Sequence, residues 1–174
     1  VSAEASDNFV FQRSLLAYHA ASARIAGDVL EIGTGAGYGI EVAAPRARRF
    51  VTVDKHAPAP ELLDRPNVEF RQAVVPPLDF PDRSFDCVIS FQVIEHIKRD
   101  AEFVREIHRV LRPGGRFIVT TPNAPMSLTR NPHRQLNRKA CLMISCRHGV
   151  AISNFNSSIV RYSRRLGSCL TLSA

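Results

Sequence analysis

The chain has 174 residues, 45% of them hydrophobic, which is enough for one domain with a real core and argues against wholesale disorder. Four cysteines without a CxxC pair match neither a regular zinc site nor a disulfide framework. No apolar run reaches the length of a membrane span and no signal-peptide pattern opens the chain, so the expected setting is a reducing cytoplasm. The net charge of +7 is not spread evenly: residues 133–174 hold seven of the 23 Lys and Arg and no acid, so 1–132 carries 16 of each sign. A neutral body offers no nucleic-acid footprint.

Taken in order, residues 8–26 (NFVFQRSLLAYHAASARIA) predict a helix, capped by Asp7 or Asn8 and stopped by Gly27. DVLEI (28–32) is short, apolar and bounded by glycine, as a buried parallel strand should be. Residues 38–44 predict a brief helix closed by Pro45, and FVTVD (50–54) a second strand ending in an acid. NVEFRQ (67–72) is a third, and beyond the loop VVPPLDFPD (74–82) comes FDCVISF (85–91), a fourth. A helix over about 100–111, with Asp100 as cap, places Phe103, Ile107, Val110 and Leu111 at helical spacing. RPGG (112–115) should break it before a fifth strand, RFIVTTP (116–122). This alternation predicts an α/β fold, a Rossmann-like, mostly parallel sheet with helices on both faces. Its ligand edge lies where strands one and four part.

The glycines after strand one discriminate between ligands. The dinucleotide fingerprint GxGxxG needs Gly or Ala at position 38 or 40, depending on register, and the chain has Tyr38 and Ile40. What stands there is GxGxG, Gly33, Gly35 and Gly37, two residues after Glu31. An acid at that point repels a pyrophosphate and suits a ligand with an amino group or a sulfonium. Asp54, ending strand two, is placed to accept hydrogen bonds from both ribose hydroxyls of an adenosine. Adenosine with a cationic amino-acid part and no phosphate describes S-adenosylmethionine.

The stretches VLEIGTGAGYG, VTVD, FPDRSFDCVISFQVIEHI and LRPGGRFIVTTPN, with the N-terminal helix, span about residues 8–132. In this order they resemble class I S-adenosylmethionine-dependent methyltransferases of type 11, the broad group that includes the ubiquinone and menaquinone biosynthesis enzymes. The resemblance implies that Gly33, Gly35 and Gly37 let the backbone approach the cofactor's methionine part, that Glu31 supports that loop and that Asp54 holds the ribose. It places Phe91 and Gln92 where cofactor and acceptor meet. Many members carry an acid after strand three for the adenine amino group; here that position is Val74, which leaves adenine to backbone groups and apolar packing.

Glu95-His96 lies just beyond strand four, where a His can take a proton from an acceptor hydroxyl; the alternative is a helix-start acid beside a packed His. Cys87 reads as a small buried hydrophobe. Cys141, Cys146 and His148 match no regular metal spacing, and no metal is expected. The expected partner is a small-molecule or sugar-lipid acceptor, and the alternative to an active enzyme is an inactive cofactor-binding remnant. The remnant is suggested by residues 133–174, where the family's two further strands should follow and where the composition is basic and acid-free. That segment is read as an out-of-frame or poorly ordered tail, as a basic surface segment, or as a compressed edge with a helix at 136–146 and a hairpin of VAISNF and SIVRYS.

Overall fold

The computed structural model describes residues 8–121, 142–146, 150–154 and 160–161, with side chains over 14–121. The elements are α1 (Asn8–Ser22), β1 (Asp28–Ile32), α2 (Tyr38–Ala43), β2 (Arg49–Asp54), α3 (Pro60–Leu63), β3 (Val68–Gln72), β4 (Phe85–Phe91), α4 (Asp100–Val110) and β5 (Leu111–Thr120). Short 3₁₀ turns occupy Ala44–Arg46 and Ile94–His96. Strands β1 to β5 form one sheet in the order β3-β2-β1-β4-β5, every pairing parallel. The strand order reverses between β1 and β4, which leaves a crevice at their C-terminal ends.

Alternation along the strands sends side chains into two cores. Val29, Phe50, Cys87 and Ile89 pack with Tyr18, Ala21, Ile25 and Ile40 of the α1–α2 side. Leu30, Ile32, Val51 and Val88 pack on the other face with Phe103, Ile107 and Val110, the apolar stripe of α4. Burying each large side chain of that stripe stabilises the layer by about 1.5–3 kcal/mol.

Two polar staples fix the layers. At the N-terminal end of the sheet, Asp28 accepts from Arg48 Nε and NH2 (3.0 and 2.7 Å) and from Arg112 (2.9 Å), while its own amide donates to Asp86 (2.8 Å). These guanidinium groups, Arg48 first, hold the Asp28 carboxyl below its ordinary range. On α4, Arg109 donates to the carbonyls of Leu78 and Phe80, each at 2.8 Å, and to Glu106 and Asp82. Glu106 accepts in turn from the Leu78 amide (2.9 Å). The loop after β3 is thereby tied to the helix.

The Arg109 hydrogen bond is the main reason the Glu106 carboxyl sits low, at about 2. A depressed carboxylate contributes stability above its unfolded value, and that contribution is lost as pH falls from about 4.5 towards 2. Arg109→Ala removes a donor from two carbonyls and two carboxylates and is expected to destabilise the fold by about 1.5–3 kcal/mol in urea unfolding at neutral pH. A loss below about 0.5 kcal/mol would show that water replaces the staple without cost.

Several boundaries differ from those expected. β5 starts at Leu111, since RPGG continues as extended chain: Leu111 pairs with Phe85, and the register then shifts so that Arg116 pairs with Cys87. Gly114, at φ +80°, absorbs that irregularity. Helix α1 stops at Ser22 rather than 26. Asp100 is the first residue of α4 and Arg99 its cap, without a side-chain capping bond. In the C-terminal segment, β6 (Leu142–Cys146) is a strand where the compressed-edge reading expected the end of a helix; the remainder of that helix, 136–141, lies outside the described residues. β7 (Val150–Asn154) pairs antiparallel with β6 and with β8 (Val160–Arg161); β7 falls within VAISNF and β8 within SIVRYS. β6 lies alongside β5 but outside its hydrogen-bonded sheet.

Candidate functional site

The glycine turn runs from the end of β1 into α2, with Gly33, Gly35 and Gly37 at φ +94°, +54° and +85°. Two of them differ in what surrounds them. A Cβ at Gly33 would run into Val93 Cγ2, so the turn and the exit of β4 close on each other only because that atom is missing. A Cβ at Gly35 would meet nothing within 4 Å: this face of the turn is open space, bare backbone presented outward. The Gly35 amide donates to Asp54 Oδ2 (2.9 Å), and Asp54 Oδ1 accepts the His56 amide (3.1 Å). Asp54 therefore joins the end of β2 to the turn. A carboxylate has about four lone-pair positions, so two remain for a ligand.

Glu31 lies under the turn and is 1% exposed. Its Oε1 accepts from Tyr18 OH of α1 (2.7 Å) and its Oε2 from Thr52 Oγ1 of β2. Burial pushes the Glu31 carboxyl up to about 7, against the hydrogen bonds of Thr52 and Tyr18 that favour the ionised form. Thr34, inside the turn, contacts Thr52 through the two hydroxyls. Gly39, the second residue of α2, passes so close to Tyr18 and Glu31 that a Cβ there would fall within 3.0 Å of both.

At the exit of β4, Phe91 is buried and meets the Tyr18 ring edge-on, centroids 4.7 Å apart at 86°. Gln92 follows at φ +59°, a conformation that costs a non-glycine residue roughly 1 kcal/mol or more. Its amide donates to the Thr120 carbonyl (2.9 Å) and its Nε2 to Thr120 Oγ1 (3.0 Å), so β5 holds the strained turn in place.

Gly35 and Asp54 are thus joined by one hydrogen bond, while Glu31 reaches the same turn through Thr52 and Thr34 and touches Phe91 through Tyr18. Val74 is exposed at 77%, its loop linked to β2 by the Ala73 amide on the Asp54 carbonyl (3.0 Å). The structure gives His96 an exposed side chain closing the 3₁₀ turn. Two residues that matter here were not singled out from sequence, Tyr18 and Thr52. The available signal was chemical: a buried acid on a central strand needs donors, and Thr52 is the polar residue inside the apolar run FVTVD.

Comparison with known proteins agrees with this geometry. The chain is 45% identical over 122 residues to a probable S-adenosylmethionine-dependent methyltransferase of Mycolicibacterium smegmatis, covering 68% of this chain and 48% of that protein. It is 44% identical over 120 residues to a similarly named protein of Mycobacterium tuberculosis, Rv3030, covering 67% and 44%. It spans about half the length of these curated relatives. The crystal structure of YcgJ from Bacillus subtilis superposes with a TM-score of 0.54 at 31% identity, over 65% of this chain and 52% of that one. Residues 30–119, from the middle of β1 to the end of β5, match the family described as "Methyltransferase domain". The chain belongs to this family, the S-adenosylmethionine-dependent methyltransferases.

Proposed function

We propose that the protein transfers the methyl group of S-adenosylmethionine to a small-molecule or sugar-lipid acceptor, with residues 1–132 as the cofactor-binding domain and 133–174 as an atypical basic tail. The observation that carries the reading is the coupling of Asp54 to the Gly35 amide beside an open glycine face, with a buried acid below. This set fits adenosine with a cationic amino-acid part. Asp54 would hold the ribose with its two free lone-pair positions, the backbone at Gly33, Gly35 and Gly37 would lie against the amino-acid part, and Glu31 would supply negative charge beneath. Val74 would offer an apolar edge to the adenine, and Phe91 and Gln92 would border the acceptor.

When bound, the cofactor supplies a methyl group on a sulfonium, which leaves with its sulfur keeping the bonding electrons. The chain's own contribution is position and exclusion of water. For a hydroxyl acceptor, a proton must also leave, and His96 is then the candidate base. His96→Gln should lower turnover with cofactor affinity unchanged; unaltered turnover returns His96 to a surface role.

The test is turnover with methyl-labelled cofactor against pooled metabolites and lipid extracts. Label in an acceptor that depends on the intact chain supports the proposal. Cofactor binding without label in any fraction would favour an inactive remnant.

A further inference from the structure

We propose that Tyr18 and Thr52 are positioning residues of the cofactor site, which hold Glu31 ionised beneath the glycine turn so that the turn meets the cofactor's cationic amino-acid part with a negative charge. The inference rests on the cofactor reading above. Its basis is a chain of hydroxyls whose directions can be assigned. With Glu31 ionised, Thr52 gives its only hydroxyl proton to it, and Thr34 is then the donor in the Thr34–Thr52 contact. Donors then run Thr34 to Thr52 to Glu31 from inside the turn, and Tyr18 to Glu31 from α1.

The surroundings make these donors decisive. The titratable groups acting on Glu31 are Tyr18 from α1 and Asp54 from the end of β2, a second acid that opposes its ionisation. α2 presents Gly39 and β4 pairs Ile89 with it, and among the described residues no Lys or Arg bridges to it. A buried carboxylate without a cation is costly, and a ligand's positive charge is what compensates it. Near neutral pH its two protonation states are closely balanced, so each donor moves that balance. The hydroxyls of Tyr18 and Thr52 are used on Glu31 and, through Thr34, on the turn.

Calorimetric titration of the full chain with S-adenosylhomocysteine, from about pH 5.5 to 9, tests the proposal. Wild type should bind best above pH 8 or so and weaken up to about tenfold per unit below about 7. Tyr18→Phe keeps the ring and should move this fall upward by about one pH unit, with roughly three- to tenfold weaker binding at pH 7 and convergence with wild type by pH 9. Thr52→Val should do the same and Thr52→Ser should restore the wild-type profile, a pair that carries the test should Tyr18→Phe fail to fold by circular dichroism. Glu31→Gln should bind weakly at every pH, and methylthioadenosine, which lacks the amino-acid part, should show no such dependence. Equal weakening at all pH values, or an unmoved profile, overturns the inference while leaving the cofactor reading intact. Absence of S-adenosylhomocysteine binding by wild type at any pH overturns the cofactor reading itself.

Discussion

Asp54→Ala is expected to weaken S-adenosylhomocysteine binding by about 1.5–3 kcal/mol, roughly ten- to a hundredfold, without unfolding the chain. Two losses combine. The first is direct: the acceptor positions proposed for the ribose vanish. The second is organisational, since the Gly35 amide loses its 2.9 Å acceptor and the His56 amide its 3.1 Å one. Gly35 has no side chain to hold its conformation, so the turn is freed at its most exposed residue. Asp54→Asn separates the two effects. It keeps one oxygen acceptor and should recover part of the affinity, whereas an unchanged dissociation constant in a folded Asp54→Ala would remove Asp54 from the site.

Gly39→Ala should damage stability and binding together. In an exposed helix, alanine would gain about 1 kcal/mol over glycine. Here the added Cβ meets the Tyr18 ring and the Glu31 carboxylate, both buried and both committed to each other by a hydrogen bond. Neither is the free end of a flexible side chain. Relief requires either displacing Tyr18, which strips Glu31 of a donor and Phe91 of its ring partner, or shifting α2 off the sheet. Overpacking of this kind costs about 1–3 kcal/mol after the helical gain is lost, read as a lower midpoint in urea. A Gly39→Ala chain as stable as wild type would mean that α1 is not anchored through Tyr18.

How much of this was legible follows from particular residues. β1 and β4 are found at the expected Asp28–Ile32 and Phe85–Phe91 because each is a short apolar run between breakers. α4 was readable from the spacing of Phe103, Ile107 and Val110. The start of β5 was not, because RPGG has the composition of a turn and only pairing with Phe85 makes Leu111 extended. α3, the four residues PELL, is too short to show a period. In the site, Gly33, Gly35, Gly37 and Asp54 announce themselves by type and spacing along the chain. Tyr18 and Thr52 do not, since their role exists only once α1 and β2 are folded onto β1.

The most direct test of the central claim is a pair of calorimetric titrations of the wild-type chain, one with S-adenosylhomocysteine and one with NAD, at about pH 8, where Glu31 is ionised. Glu31 under the turn, Tyr38 in place of the fingerprint's small residue and Asp54 on the Gly35 amide predict saturable binding of S-adenosylhomocysteine at one site and none of NAD. Saturable binding of NAD with no uptake of S-adenosylhomocysteine would contradict the account.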